Sequence, residues 1–418
     1  MNKKVTSKYI VNYLTDTDMY KFTMMQTYLH HCPNEKVVWK WKCRSKGVDL
    51  TKLVAKIRAE INHVCKLRFQ QFELYWFRKG PQHDLFSEDF IDYLERFQLN
   101  AKYFNIGVNS NHELEITAEG PILQTTLFEI YTMQIIQELY MRNQNIDLEK
   151  ARKNRAKAVN KLNKATKAGM KFRYADFGGR RRYSFDWQDE TIGYMVKNCL
   201  SFSGTSNVYF AIKYGITAIG TYAHEMYAVY QGMRNVRLSE AQRAVFDVWT
   251  KEYRGNLGIA LSDNFGFRAF LNDFDLYYAK LFDGCRHDSG NPFKWGDMLI
   301  EHYKKLRIDP RTKVACFSDS LDVEKMIDLA EYFNDRILVT FGVGTYFMAT
   351  ITGGSPISMV MKIVKCNGYH VVKLSDAIGK CMCENQSTID YTMDVYQYRS
   401  IDERLFGDPV PCISRLLY

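Results

Sequence analysis

Short apolar segments alternate with longer helical segments from Lys171 onwards, and this alternation restricts the fold more than any other feature of the chain. The apolar segments lie at residues 172–177, 216–219, 257–261, 314–317 and 337–341. Such a rhythm is typical of parallel strands joined by right-handed helical crossovers. The second half of the sequence therefore predicts an α/β fold built on a parallel sheet.

Several of these apolar segments end in a polar or glycine-rich turn. The turns are Gly178-Gly179-Arg180, Gly220-Thr221, Ser262-Asp263, Ser318-Asp319 and Gly342-Val343-Gly344-Thr345. In a parallel barrel or a doubly wound sheet, the turns that follow the strands open on one face, where active sites are built. We therefore expect the side chains of these turns to meet in one site.

The first third of the chain has a different pattern, typical of an α+β unit. Asp18 can cap a helix whose apolar residues recur every three or four positions. Trp39 and Trp41 alternate with lysines, which predicts a half-buried strand. A long helix is expected from near Thr125 to about Met141.

Composition is that of a folded protein. The chain has 418 residues, of which 46% are apolar and 25% charged. No apolar run reaches the roughly 18 residues of a membrane span or follows the basic start as a signal peptide would, so we expect a cytoplasmic protein with no membrane partner. The ten cysteines are mostly isolated in the sequence and indicate neither a disulfide framework nor zinc knuckles.

The net charge of +10 indicates anionic partners, either nucleic acid or small phosphorylated substrates. The densest basic run covers residues 150–173 and is typical of a solvated helix face. No helix-turn-helix, zinc-finger or RNP signature accompanies it, so we predict no nucleic-acid partner.

His224 follows a short apolar segment at the start of a predicted helix, so it is either a nucleophile or a histidine satisfied by its helical neighbours. The run Arg286-His287-Asp288-Ser289 packs a cation, an imidazole, a carboxylate and a hydroxyl into four positions, which favours function. Gly342, Gly344 and Thr345 either cradle a phosphate with backbone N–H groups or form a plain tight turn.

In their order along the chain, these motifs resemble those of the nicotinate phosphoribosyltransferases of bacteria and fungi. The resemblance begins at Leu14-Thr15-Asp16-Thr17-Asp18-Met19-Tyr20-Lys21. It continues through Asp176-Phe177-Gly178-Gly179-Arg180-Arg181, Phe202-Ser203-Gly204-Thr205-Ser206-Asn207, Gly220-Thr221-Tyr222-Ala223-His224-Glu225, Leu261-Ser262-Asp263, the Arg286 run, Phe317-Ser318-Asp319, Phe341-Gly342-Val343-Gly344-Thr345 and Val372-Lys373-Leu374-Ser375-Asp376.

The resemblance implies an irregular (β/α) barrel of parallel strands with an additional N-terminal α+β domain. We accordingly predict the N-terminal domain at residues 1–140, completed by residues 366–418, and the barrel at residues 141–365. The implied reaction joins nicotinate to phosphoribosyl pyrophosphate, giving nicotinate mononucleotide and pyrophosphate for NAD biosynthesis. ATP is the implied co-substrate and Mg²⁺ the implied metal, although the residues that bind the metal are not identified.

Roles for individual residues follow from the same resemblance. His224 would take the phosphoryl group of ATP as a phosphohistidine, and Asp263, Asp288 and Asp319 would serve the ribose hydroxyls, the metal or the transition state. Gly342, Gly344 and Thr345 would hold the 5′-phosphate. The pyridine ring would lie between Phe177 and Tyr20, with Tyr20 supplied by the second subunit of a homodimer.

The identity of the base depends on a few positions. The resemblance places Thr205 and Ser206 at the substrate, and relatives that use nicotinamide carry an aspartate in place of Ser206. A serine avoids repelling a substrate carboxylate, which Arg286 can pair with as a charged fork. Arg180, Arg181 and Arg182 are adjacent, and Arg180 fits the family pattern best.

Two alternatives remain open at the level of sequence. The first is a nicotinamide-specific phosphoribosyltransferase, which would share most of these motifs. The second is a non-enzymatic nucleic-acid-binding or scaffold protein that uses the basic helix. The presence of His224, Asp288 and Asp319 counts against a degenerate site.

Overall fold

The computed structural model describes residues 8–377 and 380–402. The strands in these ranges are β1 Lys36–Cys43, β2 Phe104–Val108, β3 Leu114–Pro121, β4 Phe172–Asp176, β5 Phe202–Thr205, β6 Thr217–Ala218, β7 Ile259–Leu261, β8 Gly284–His287, β9 Val314–Phe317, β10 Leu338–Val343, β11 Met359–Cys366 and β12 Tyr369–His370.

The α-helices of the same ranges lie between these strands or flank them. They are α1 Met19–His31, α2 Val54–Val64, α3 Gln71–Lys79, α4 Glu88–Arg96, α5 Ile122–Thr125, α6 Phe128–Met141, α7 Leu148–Lys167, α8 Phe185–Asn198, α9 Val208–Tyr214, α10 His224–Gln231, α11 Ala241–Tyr253, α12 Phe267–Asp273, α13 Leu276–Leu281, α14 Pro292–Lys305, α15 Val323–Tyr332, α16 Thr345–Met348 and α17 Gln386–Val395.

An antiparallel sheet forms the centre of the N-terminal part, with the strand order β12-β11-β1-β3-β2. In β1, Trp39 and Trp41 are buried and Lys42 is exposed, as their alternation predicts. Strand β11 pairs with β1, from Val37 opposite Cys366 to Cys43 opposite Met359. Most of β11 therefore lies inside the range predicted for the barrel, 141–365, but belongs to the other sheet.

A second sheet contains only parallel pairs among the described residues, in the strand order β6-β5-β4-β10-β9-β8-β7. The sheet curls so that its two edges approach each other: the Thr221 hydroxyl, just after β6, donates to the Ile259 carbonyl of β7 at 2.9 Å. No strand ladder joins these two edges in the described part of the chain. The predicted α/β fold, an irregular barrel with an additional N-terminal domain, is confirmed.

Two strands are absent from the sequence prediction, and a third ends later than predicted. Residues 202–205 form β5 and residues 284–287 form β8, although both were read only as motifs or turns. Strand β10 continues to Val343, so Gly342 lies inside a strand and not in the turn that follows it. Short strands that carry Gly, Ser or Arg lack the apolar run that marks a buried strand in a sequence.

The segment before α1 docks the N-terminal part onto the barrel. The Met19 N–H donates to the Ser206 carbonyl at 2.6 Å, and the Val208 N–H donates to the Thr17 carbonyl at 2.9 Å. Asp18 occupies the N-cap position of α1, but its side chain accepts no capping hydrogen bond from the helix. The docking brings the first turn of α1 to the carboxyl ends of the barrel strands.

The basic helix α7 packs one face against the protein and exposes the other. Ala151, Val159 and Leu162 are buried, whereas most of its lysines are exposed. Arg155 is also buried and donates to Glu190 at 2.8 Å. Across residues 8–377 and 380–402, none of the helices combines the length and apolarity that a membrane crossing requires.

Candidate active site

A cavity of about 1080 Å³ opens where the barrel strands end. Residues that follow six of the parallel strands line it, and Arg44, just after β1, and Lys362 of β11 also border it. The residues after the strands are Phe177, Ser206, Gly220, Asp288, Asp319 and Gly344. Four of the five predicted turns therefore meet at one cavity, and the exception is Ser262-Asp263. The cavity is large enough to enclose small ligands.

His224 is the first residue of α10, and the preceding short strand β6 carries it to the cavity. Its Nε2 lies 2.7 Å from Oδ1 of Asp263, which follows β7. Burial and, after it, the nearby Lys373 together lower the pKa of His224 to about 4, although Asp263 opposes them. At neutral pH the imidazole is therefore neutral, with its proton on Nε2 and its lone pair on Nδ1.

Asp263 is held by several neighbours, among them the Ser375 hydroxyl, which donates to Oδ2 at 3.4 Å. Besides His224, its carboxylate accepts the Ser289 hydroxyl at 2.6 Å and lies 3.1 Å from the Lys373 ammonium. Burial alone would raise the pKa of Asp263, but Lys373 and His224 outweigh burial and hold it well below the usual range. Asp263 is thus an ionised acceptor that orients the imidazole, and it does not itself line the cavity.

Asp288 follows β8 and does border the cavity. It accepts the Ser318 hydroxyl at 3.0 Å and lies 3.5 Å from the Arg286 guanidinium. Burial would raise its pKa, but Arg286 and Lys373 hold the pKa below the usual range. Potential ligand atoms of His224, Asp263 and Asp288 lie within 4.8 Å of one another. Because Asp288 borders the cavity and Asp263 does not, Asp288 is the better placed of the two carboxylates to hold a cation.

The three adjacent arginines have different surroundings. Arg182 is fully buried, and its two terminal nitrogens lie 2.7 and 2.8 Å from the two carboxylate oxygens of Asp16. Arg180 and Arg181 line the cavity. Burial lowers the pKa of Arg181 to about 10, and the neighbouring Arg180 and Arg44 add to the effect. Both Arg180 and Arg181 are therefore placed where they could contact a ligand, whereas Arg182 is paired inside the protein.

Arg44 and Arg181 form no ion pair with any carboxylate of the described residues. Two half-buried guanidinium groups without an ion-pair partner repel each other, and a bound anion would relieve that repulsion. Sequence reasoning missed Arg44, because it continues the alternating pattern of β1 as an apparently solvent-facing cation. The polar end of that strand was the available signal.

The base-binding prediction is partly changed by the structure. Tyr20 and Phe177 line the same cavity within one chain, and the supply of Tyr20 by a second subunit stays a prediction. The Ser206 hydroxyl donates to Oδ1 of Asp18 at 2.7 Å, so its proton is not available to a substrate carboxylate. Burial raises the pKa of Asp18, although Arg180 opposes that rise. Asp18, which the sequence indicated as a helix cap, is therefore a residue of the pocket.

Two other residues predicted to contact the substrate do not border the cavity. Thr205 is fully buried, and its hydroxyl donates to Asp176 at 2.9 Å. Gly342 does not line the cavity, because the Phe177 ring covers it: a Cβ at Gly342 would lie 2.4 Å from ring carbons. Gly344 and Thr345 do border the cavity, and a Cβ at Gly344 would meet no atom closer than the Phe177 carbonyl at 3.8 Å.

Lysines from the segment after β12 complete the site, and sequence reasoning assigned them no role. Lys373 contacts Asp263 as described above, and the Lys380 ammonium lies 2.7 Å from Asp319. Asp319 and both lysines border the cavity. The available signal was the position of Lys373 between the apolar residues Val372 and Leu374. Arg286 also borders the cavity, as predicted.

This fold and the position of the cavity place the protein among the α/β-barrel enzymes, whose active sites lie at the carboxyl ends of the strands. The chain belongs to the nicotinate phosphoribosyltransferase (NAPRTase) family, whose model matches residues 172–400. The model of the N-terminal domain of the same family matches residues 15–137.

Similar proteins cover nearly the whole chain. It is 44% identical over 405 residues to a protein of Xanthomonas campestris pv. campestris (strain B100) named nicotinate phosphoribosyltransferase, covering 96% of this chain and 99% of that one. A protein of the same name from Burkholderia ambifaria (strain MC40-6) is 44% identical over 393 residues, covering 93% and 97%.

Solved structures agree with this assignment. The crystal structure of nicotinate phosphoribosyltransferase from Vibrio cholerae matches with a TM-score of 0.89 and 31% identity, covering 96% of each chain. That of the enzyme from Porphyromonas gingivalis matches with a TM-score of 0.86 and 27% identity, covering 93% of this chain and all of the other.

Proposed function

We propose that the protein transfers the phosphoribosyl group of phosphoribosyl pyrophosphate to nicotinate and couples this transfer to hydrolysis of ATP through a phosphohistidine at His224. The observation that supports the coupling is the protonation state and the position of the His224 imidazole. Its imidazole is neutral, oriented by Asp263 and open to a cavity lined by arginines. A neutral imidazole with a free lone pair is the form that acts as a nucleophile.

In the first step, Nδ1 of His224 attacks the γ-phosphorus of ATP. An N–P bond forms, the bond between that phosphorus and the β,γ-bridging oxygen breaks, and ADP leaves with the electron pair. The imidazole becomes cationic and keeps its proton on Nε2, where the ionised Asp263 accepts it in a hydrogen bond. Lys373 and the cavity arginines lie close enough to balance the charge of the transferred phosphoryl group.

In the second step, the pyridine nitrogen of the base attacks the anomeric carbon of the ribose, and pyrophosphate leaves. Phe177 and Tyr20 border the space for a flat ring, and Arg44 and Arg181 are available for the leaving diphosphate. Asp288 and Asp319 lie on the same face and can stabilise the positive charge that develops on the sugar. Hydrolysis of the phosphohistidine then returns the enzyme to its starting state.

The donor set fits a Mg²⁺ ion held by Asp288 together with phosphate oxygens of the substrate, since this carboxylate is ionised and borders the cavity. The ion would neutralise charge on the phosphates. The protein residues described above position the substrates around it. The homodimer, in which a second subunit would supply Tyr20, stays part of this proposal.

The experiment that tests the coupling is incubation with γ-labelled ATP and Mg²⁺. The unmodified protein should gain an acid-labile, base-stable label, and His224→Ala should gain none while retaining slow transfer that is not coupled to ATP. Label retained by His224→Ala would remove His224 from the mechanism.

A second candidate substrate, nicotinamide, is favoured by one observation, the presence of Asp18 in the pocket beside Ser206. A carboxylate there could accept an amide N–H, whereas it would repel the carboxylate of nicotinate if ionised. Its raised pKa and the nearby Arg180 reduce that repulsion, which favours nicotinate.

The two bases are separated by measuring product formation with each. We expect the unmodified protein to prefer nicotinate. We also expect Ser206→Asp, which adds a second carboxylate beside Asp18, to shift the preference towards nicotinamide. Efficient use of nicotinamide by the unmodified protein would favour the second candidate.

A further inference from the structure

A fully buried lysine next to the pocket has no role in the reaction proposed above. Lys21 follows Tyr20 in α1 and has no exposed surface. Its ammonium lies 2.7 Å from Oε2 of Glu129 in α6 and also pairs with Glu225, the residue after His224. The Thr126 hydroxyl donates to the other oxygen of Glu225 at 2.5 Å. Lys21 thus bridges two buried carboxylates.

Glu129 connects this lysine to the cavity. Its Oε1 lies 3.2 Å from the Lys362 ammonium and 3.9 Å from Nη1 of Arg180. Burial would raise the pKa of Glu129, but Lys21 and Lys362 outweigh burial and lower it to about 2. Glu129 is therefore an anion whose two oxygens are each taken by a lysine, and Arg180 is its most distant cationic partner.

Arg180 itself is only loosely paired. Its other carboxylate neighbour, Asp18, lies 3.7 Å from Nε, and about one third of its side chain is exposed at the cavity. Both distances exceed those of close charge-assisted hydrogen bonds, which are about 2.7–2.9 Å. The guanidinium group is thus available to a ligand anion.

We propose that Lys21 is a positioning residue that keeps Glu129 from capturing Arg180, and so leaves this guanidinium available for an anionic substrate. The proposal rests on the function proposed above, in which nicotinate and phosphoribosyl pyrophosphate are both anions. Without Lys21, Oε2 of Glu129 would lose its nearest cation in a buried environment. The carboxylate would then be satisfied by Arg180, whose guanidinium group is only loosely paired and borders the cavity, in competition with the substrate.

The test compares variants by steady-state kinetics. Arg180→Ala first identifies the substrate that Arg180 holds, because the KM for that substrate rises most. We expect Lys21→Met to raise the same KM by about tenfold, with a smaller change for the other substrate and in kcat. The double variant Lys21→Met/Glu129→Gln removes the competing carboxylate together with the lysine, and we expect its KM to return to within about threefold of the unmodified protein.

Two further variants separate charge from packing. Lys161→Met on the surface of α7 is the matched control and should leave every constant unchanged, because its ammonium is exposed. Glu129→Gln alone keeps the shape of the side chain and removes the competition, so its KM should be equal to or below that of the unmodified protein. This variant keeps the proposal testable if Lys21→Met does not fold.

The proposal is overturned if the double variant has as high a KM as Lys21→Met, since Lys21 would then act through packing. It is also overturned if Lys21→Met leaves the KM unchanged, or if Glu129→Gln raises it about tenfold, since Glu129 would then hold Arg180 in its active position. If the unmodified protein does not use nicotinate at all, the proposed function fails separately. In that case the affinities of the same variants for inorganic pyrophosphate are compared by calorimetry, and the same order among the variants is expected.

Discussion

Nε2 of His224 lies 2.7 Å from Oδ1 of Asp263, although the two residues are 39 positions apart and follow different strands of the barrel. The contact decides which nitrogen of the imidazole carries the proton. With Nε2 occupied by the hydrogen bond, Nδ1 keeps the lone pair, and burial together with Lys373 keeps the ring neutral. Orientation and protonation state are therefore set by one carboxylate and one ammonium group.

Asp263→Asn tests the orienting role of this carboxylate. An amide can turn its NH₂ group towards Nε2 and favour the opposite tautomer, so the proton would move to Nδ1 and remove the nucleophile. We expect the rate of histidine phosphorylation to fall by about 100-fold or more. The measurement is the initial rate of label incorporation from ATP. Asp335→Asn, at an exposed carboxylate, should incorporate label at the unmodified rate. An unaffected Asp263→Asn protein would contradict the assignment.

Lys373→Met tests the electrostatic control of His224. The reactive form is the neutral imidazole, so with a pKa of about 4 the phosphorylation rate should be flat from neutral pH to about pH 5 and fall below that. Removing the ammonium group leaves the carboxylates of Asp263 and Asp288 to favour the charged ring, so the pKa should rise. We expect the acid limb of the pH–rate profile to move upwards by about one unit or more. If the acid limb of the profile does not move, burial alone lowers the pKa of His224.

Arg181→Ala and Arg182→Ala should give opposite results. Arg182 shares a buried ion pair with Asp16, and removing one partner of such a pair costs about 3–5 kcal/mol, so the Tm should fall. Arg181 has no carboxylate partner among the described residues, so its loss should leave the Tm nearly unchanged. Instead the KM for phosphoribosyl pyrophosphate should rise at least about thirtyfold, since losing a charged contact costs about 2 kcal/mol or more. Equal losses of Tm would mean that both arginines are structural.

Gly342→Ala and Gly344→Ala separate the two glycines of one motif. At Gly342 the new methyl group would lie 2.4 Å from the Phe177 ring, so the ring must move and the KM for the base should rise. At Gly344 the nearest atom is 3.8 Å away, so the protein should keep its Tm. The methyl group would instead fill the cavity and raise the KM for phosphoribosyl pyrophosphate. Thermal unfolding and both KM values are measured for each variant, and a phosphate cradle at Gly344 is contradicted if that KM does not change.

The sequence predicted the repeating elements of the barrel well because a buried strand carries a run of apolar residues. Strand β9 has the predicted bounds, and β4, β7 and β10 differ by one or a few residues. Strands β5 and β8 were missed because their residues serve the cavity as well as the sheet. Arg286 lies in β8, yet its guanidinium borders the site, so the strand lacks an apolar run.

The sequence by itself determined which chemical groups the site contains, since the histidine, the carboxylates, the arginines and the glycines of the motifs follow strands whose ends must share one face. The tertiary structure alone decided which of these groups are available. Arg182 is paired with Asp16, and the Thr205 hydroxyl donates to Asp176, so neither is available to a ligand. Arg44, Asp18 and Lys373 come from distant segments of the chain and line the cavity. Burial, ionisation and pairing depend on neighbours brought together by folding, and no local pattern of residues specifies those neighbours.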